Sequence, residues 1–195
     1  MSRQIPAGHK VAADGEWAGP SKNYKPCASP ADSKARHWGP DGAAGCLAWV
    51  TGQDGERYVL LAKRSRHVQQ GNTWAFPGGA IDAGETPLSA AIREVSEEVS
   101  GVTLDSLTDR LEAPCPHGCG WSYTTIVVRA YGAEETWDGH GRLANVPRVA
   151  VAAGHSAWET DVAAWIPLGY VDELPLHPAF AAAWPELRQM VERAS

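Results

Sequence analysis

The chain has 195 residues, 44% of them apolar, which is enough for one well-formed core with some excess. A formal charge of −6 leaves no basic footprint for duplex nucleic acid. No run reaches transmembrane length, and MSRQIPAGHK lacks the apolar stretch of a secretory leader, so a cytoplasmic, reducing location is expected.

In chain order, residues 1–40 are rich in Gly, Pro, Lys and Ala with no sustained period. They read as an N-terminal extension that wraps or stays mobile, although Trp17 and Trp38 argue against complete disorder. Residues 41–195 read as a single domain. AAGCLAWV, after Gly42, predicts a first strand and RYVLLAK (57–63) a second, with TGQDGE (51–56) as the hairpin turn. A short strand over 74–76 precedes the turn Pro77-Gly78-Gly79, and 121–131 (WSYTTIVVRAY) is the most β-prone stretch. VAAWI (162–166) predicts another strand, 169–174 a short turn and 178–193 a longer helix whose apolar side carries Ala179, Ala182, Ala183, Leu187, Met190 and Val191. Strands, helix, strands, helices is an order that suits an α/β sandwich with a mixed sheet between helices.

Positions 79–101, GAIDAGETPLSAAIREVSEEVSG, carry the chemistry. Thr86 predicts an N-cap, Pro87 suits the first helical position, and Gly101 reads as the C-terminal stop. Leu88, Ala91, Ile92, Val95 and Val99 recur at helical spacing as an apolar stripe. At roughly 100° per residue, Glu94, Glu97 and Glu98 fall together on a flank away from it. Like charges on adjacent helical positions repel. Arg93, four residues before Glu97, offsets part of that, and a hard divalent cation such as Mg²⁺ would offset it better. The plainer reading is a solvated charged face. Against it stands the flanking Pro77-Gly78-Gly79 turn, where backbone can approach a metal or phosphate closely.

Gly79, Glu85, Arg93, Glu94, Val95, Glu97 and Glu98 fit in register to a known signature: the chain resembles the Nudix hydrolases, which cleave nucleoside diphosphates linked to another moiety. It departs from the pattern only at the end, where Ser100 holds the expected glycine position and Gly101-Val102 arrive one residue late. The resemblance covers roughly residues 40–180. It implies the Nudix fold, an α/β/α sandwich with a mixed β-sheet. HWGPDGAAG, WSYTT, WETDVAAWIPL and LPLHPAF look like a bacterial subgroup of that family.

Carried onto this sequence, the resemblance implies that Glu94, Glu97 and Glu98 hold Mg²⁺, with Mn²⁺ as a substitute, and that Gly78 adds a carbonyl ligand. Arg93 would orient the glutamates by pairing with a box carboxylate, and Glu85 would have a charge-pairing role. Glu94, or Glu159 in the loop before VAAWI, is the candidate proton acceptor, with Asp161 beside it. Either loop acid can equally be a solvated turn residue. Lys63, Arg64 and Arg66 form a basic cluster before the box, and Arg64 and Arg66 are candidates to meet substrate phosphate; the alternative is a basic strand end running into solvated loop.

The expected activity is therefore a Mg²⁺-dependent pyrophosphohydrolase. Its partner would be a small-molecule nucleotide, with homodimerisation common among relatives. A non-catalytic nucleotide-binding module is the alternative, although such modules tend to lose box acids and all four glutamates are present here. A diphosphate isomerase on this scaffold would need a catalytic cysteine, for which only Cys46 is placed, and Cys46 reads as a small core residue. Tyr123, Trp74 and Trp158 are candidates to stack on a base, and His177 to approach the site; for each, packing is the plainer role. Cys115 and Cys119 bracket Pro116-His117-Gly118, which could be part of a zinc site only if Cys27, His37 or another distant ligand completed it. No second tight pair exists, so a turn-rich loop is expected there.

Overall fold

The computed structural model describes residues 10–11, 17–18, 24–27, 36–52, 54–131, 150–151 and 158–194. Two short antiparallel pairs lead: β1 (Lys10–Val11) with β2 (Trp17–Ala18), and β3 (Tyr24–Pro26) with β4 (Arg36–Trp38). The main sheet follows, built from β5 (Ala43–Thr51), β6 (Arg57–Arg64), β7 (Trp74–Ala75) and β8 (Gly78–Ala80). After helix α1 (Pro87–Glu98) come β9 (Val99–Ser100), β10 (Thr103–Pro114), β11 (Ser122–Tyr131), β12 (Ala150–Val151) and β13 (Thr160–Pro167). A 3-10 turn, Leu168–Glu173, leads towards α2 (Pro178–Arg193).

The main sheet runs β10-β11-β5-β6-β13, with β7 beside β6 and β8 beside β5. Only β11 and β5 are parallel, so the sheet is mixed. Its central strands obey the two-residue alternation of a sheet buried on both faces. Ala44, Cys46, Ala48, Val50, Tyr58, Leu60, Ile126 and Val128 point to α1, where Ala90, Ala91 and Val95 meet them. Leu47, Trp49, Val59, Leu61 and Val127 point the other way, to Phe180, Trp184, Leu187 and Val191 of α2. This is the α/β/α sandwich. Arg57 of β6 donates to the carbonyls of Val191 and Ala194, a cation where a helix end favours one.

β5 makes the site possible because it serves two partners on one side. Its Trp49–Thr51 end pairs with β6, and its Ala43–Gly45 end pairs with β8. The strands splay between these ends, and the chain from β8 runs out of the gap into α1. No helix among the described residues is long and apolar enough to cross a membrane.

Several elements differ from expectation. The longest strand, β10, is polar and largely exposed, and has bulges at Leu104/Ser106 and Leu107/Asp109. As an edge strand it needs neither an apolar alternation nor strong β-formers, so its letters do not announce it. Gly101 does not stop α1. The helix ends at Glu98 because Val99 turns extended and pairs with Val151, and Gly101 instead takes φ +79° in the turn to β10. The buried face of α1 is Ala90, Ala91 and Val95, while Leu88 and Ile92 are exposed, since only small side chains fit where the helix lies against β5. Parts of the first forty residues form the β1–β2 and β3–β4 hairpins; the rest of the predicted wrapping or mobile extension lies outside the described residues.

Candidate active site

The site begins at the turn into β8. A side-chain carbon at Gly78 would sit 2.5 Å from the Tyr123 hydroxyl, 2.7 Å from Gly45 Cα and 2.9 Å from the Ala44 carbonyl. One at Gly79 would collide with the Glu94 carboxylate. Both glycines are there for close approach. α1 then starts on a reciprocal cap: Ser89 N–H donates to Thr86 Oγ1 at 3.1 Å and Thr86 N–H donates to Ser89 Oγ at 2.9 Å. With Pro87 in the first turn, this sets the direction in which the glutamates project.

Arg93 is committed mainly outside the acidic trio. Its Nε and Nη2 donate to the two oxygens of Glu85, both at 2.9 Å, and Nη2 also donates to the Ala80 carbonyl at 2.9 Å. Only Nη1 turns to the trio, donating to Glu94 at 2.7 Å and to Glu97 at 3.4 Å. Glu98 instead accepts from the Gly78 N–H at 3.1 Å and from the Thr160 hydroxyl at 3.3 Å. The Glu94 side chain is 13% exposed and that of Glu97 48%.

These placements set the electrostatics. Burial pushes the Glu94 carboxyl up to about 7 against the pull of Arg93, and Glu97 and Glu159 add to the rise. Burial, with Glu94 and Glu159 nearby, pushes Glu98 up to about 8. Glu85 goes the other way, down to about 2, because Arg93 and the Asp82 backbone N–H bond its ionised form. Two poorly solvated carboxylates facing one another, whose hydrogen-bonding arginine, Arg93, is held mainly by a third carboxylate, form a donor set that suits a hard, oxygen-preferring cation.

Opposite Glu98 a narrow recess of about 30 Å³ is lined by Arg64, Phe76, Gly78, Glu98, Glu159 and Thr160. The fold thus brings Arg64 and Glu159 to the box acids. Arg66 is exposed in the following loop, with its Nε on His67 at 3.2 Å. Trp158 is buried, and Trp74 packs against the α2-side core. His177 caps α2, accepting from the Ala179 N–H at 3.3 Å, and burial and Arg64 depress it to about 4. Cys46 is fully buried in the α1-side core, and its thiol is pushed up to about 12, unlike a reactive cysteine.

A larger cleft of about 240 Å³ opens on the other side of the Arg93–Glu85 pair, lined by residues that include Asp41, Glu85, Arg110, Glu112, Ser122 and Thr124. It reaches the box through Glu85 and not through the acidic trio. Sequence reasoning named Glu85 but missed Asp41, Arg110, Glu112, Ser122 and Thr124, and Thr160 too: all of these but Asp41 are polar residues on strands whose cross-strand partners cannot be read from local pattern. Tyr123, a candidate to stack on a base, instead sets its hydroxyl against Gly45 and Gly78, and its acidity is lowered by burial and by Glu98 and Glu94.

A mixed sheet between two helices, with a glycine turn feeding a glutamate-lined helix, defines a sandwich of the Nudix fold. The NUDIX domain model matches residues 41–187, and the chain belongs to that family. It is 38% identical over 162 residues to a Mycobacterium tuberculosis protein named "Putative 8-oxo-dGTP diphosphatase 3", covering 80% of this chain and 66% of that relative's length. The chain therefore spans about two thirds of that relative. An Escherichia coli 8-oxo-dGTP diphosphatase is 40% identical over 88 residues, covering 43% of this chain and 64% of its own. The crystal structure of a Nudix hydrolase from M. smegmatis, RenU, superposes with a TM-score of 0.60 at 34% identity, covering 84% of this chain and 92% of that one.

Proposed function

We propose that this protein is a Mg²⁺-dependent pyrophosphohydrolase that cleaves the diphosphate bond of a nucleoside diphosphate linked to another moiety, with residues 41–195 as the catalytic domain. The observation that carries the reading is the state of Glu94 and Glu98: both are largely withdrawn from water and raised in pKa, and Arg93 is held by Glu85. Glu94, Glu97, Glu98 and the Gly78 carbonyl would hold Mg²⁺. Bound there, the ion would neutralise phosphate charge and lower the pKa of a water.

The chain's own residues do the rest. Arg93 holds Glu94 by one N–H while the Glu85 fork fixes its guanidinium. Arg64, at the rim of the Glu98 recess, meets a phosphate oxygen. Glu94, or Glu159 across the recess, takes the proton of the attacking water as its oxygen bonds to phosphorus and the bridging P–O bond breaks. The names of the mycobacterial and E. coli relatives make 8-oxo-dGTP the first substrate to try. A cytoplasmic location and homodimerisation belong to the same proposal; sedimentation tests the second.

The test is product release from a panel of dNTPs, oxidised dNTPs, ADP-ribose, NADH, dinucleoside polyphosphates and sugar nucleotides, with Mg²⁺ and with EDTA. Metal-dependent cleavage of one class is expected. Tight nucleotide binding with no turnover anywhere would overturn the reading in favour of a binding module.

A further inference from the structure

Cys27, His37, Cys115 and Cys119 are spread over 93 positions of the chain, yet each offers a ligand atom within 4.8 Å of the others. Cys27 directly follows β3, and His37 lies within β4 of the same hairpin. Cys115 and Cys119 bracket the turn between β10 and β11, a Cys-x3-Cys spacing that places two sulfurs on one loop. We propose that this cluster is a structural zinc site, closed by three thiolates and one imidazole, which clamps the segment preceding the family-matched region onto the edge hairpin of the sheet.

The distances agree with a tetrahedral ion. Zinc–sulfur bonds of about 2.3 Å place neighbouring sulfurs about 3.8 Å apart. The Cys27 and Cys115 sulfurs are 3.8 Å apart, far longer than a bond between them. Cys119 Sγ and His37 Nε2 are 3.2 Å apart, a short edge of the same figure.

Packing alone does not explain the gathering. Cys27 and Cys115 are each 5% exposed, but neither belongs to the core on either face of the sheet. Cys115 opens the Pro116-His117-Gly118 turn, and Cys27 comes from the hairpin packed on it.

The surroundings are those of a formed ligand shell. The His37 ring stacks on Trp121, with centroids 4.5 Å apart and planes 12° apart, and Trp121 Nε1–H is bound to the carbonyls of Trp38 at 3.1 Å and Gly39 at 3.0 Å. The His117 N–H points at the Cys115 sulfur at 3.4 Å, the kind of donor that steadies a thiolate. The Cys115 N–H donates to Trp121 O at 2.8 Å and the Gly118 N–H to Cys115 O at 2.9 Å. Left-handed Gly118 and Gly120 complete the knuckle. His117 Nδ1, 3.9 Å from Cys27 Sγ, lies just outside the four-membered group. Thiolates with imidazole select zinc over the magnesium that carboxylates select, so the two metal sites of this chain do not compete for one ion.

The clamp also has a consequence for the larger cleft. Three residues after Trp38, Asp41 lines that cleft with Ser122 and Thr124 of β11. Zinc therefore holds one cleft wall in register with the next.

The test uses the full chain, purified under reducing conditions and desalted into metal-free buffer without chelator. Elemental analysis should find one zinc per chain. The Glu97→Gln and Cys46→Ala variants should retain it, and Cys115→Ser, Cys119→Ser and His37→Ala should lose most of it. Loss of zinc in Cys115→Ser could reflect unfolding alone, so the second arm needs no variant: unfolding with chelator and refolding with Co²⁺ should give a thiolate-to-cobalt charge-transfer band and the visible bands of a tetrahedral ion. Folded protein without zinc, a Cys27–Cys115 disulfide by mass, zinc that is lost with Glu97→Gln, or a cobalt form without the thiolate band would each overturn the assignment.

Discussion

Arg93 and Glu85 face each other through two parallel hydrogen bonds of 2.9 Å, a fork on a fork joining the middle of α1 to the loop that precedes it. The pair spends most of the arginine on a residue outside the acidic trio. Its effect is to fix the remaining N–H on Glu94, while Glu98 gains no bond from Arg93 and has the Gly78 N–H, the Thr160 hydroxyl and the field of Arg64 against its burial. A carboxyl whose burial outweighs these contacts is a place for a cation to bind.

The fork should be replaceable by nothing simpler. Arg93→Lys keeps the charge but cannot make two parallel bonds and still reach Glu94. Turnover is expected to fall at least about tenfold with the fold intact by circular dichroism. Unchanged kcat and KM would show that the fork positions nothing.

Glu85 should confer stability with a particular pH window. Its folded pKa, about 2, lies below the ordinary 4.5, so its stabilisation is complete above 4.5 and disappears as pH falls towards 2. Thermal melts of wild type and Glu85→Gln should differ at pH 7 and converge as the pH drops below 4.5. A constant difference would locate the effect in packing.

Glu98 should show the opposite sign. Its folded value, about 8, is raised above 4.5, so the metal-free protein loses stability as pH rises from 4.5 to 8, with Glu94, at about 7, adding to the loss. In EDTA, Glu98→Gln should therefore gain on wild type as pH increases through that window. Mg²⁺ should raise the wild-type melting temperature at pH 8 and do little at pH 5. The same variant should lower turnover by at least about a hundredfold. A Glu98→Gln protein with near wild-type turnover would remove Glu98 from the ligand set.

Cys46→Ala should leave turnover unchanged and lower stability by about 1 kcal/mol, the effect of a small void in a closed core. Cys46→Ser, which buries a hydroxyl, should lower it by about 1–3 kcal/mol. Loss of activity out of proportion to stability in Cys46→Ala would revive thiol chemistry.

Much of this was legible in the letters because the responsible signals are local. The central strands β5, β6 and β11 are apolar on both faces, so composition alone marks them. The cap Thr86-Pro87 and the glutamates three, four and one positions apart are helix geometry, which holds wherever the helix is placed. That is why the box and its flank could be read before the fold.

What the letters could not carry is anything that depends on which strand lies beside which. The polar edge strand β10 exists because β11 offers it backbone partners, and Val99 ends α1 early because Val151 arrives to pair with it. Arg64 lines the recess with Glu98, and Arg66 does not, because the β6 strand ends between them. The choice of Ala90 over Leu88 and Ile92 as the buried face follows from how closely α1 lies on β5. Cys27 and His37 looked too remote to join Cys115 and Cys119; only the β3–β4 hairpin, folded against the β10–β11 turn, brings the four together. Sequence by itself determined the arrangement of carboxylates on the acidic helix, since neighbours on a helix are neighbours in the chain. Tertiary structure decided every site assembled across strands, since strand pairing joins residues whose separation in the chain carries no information about their separation in space.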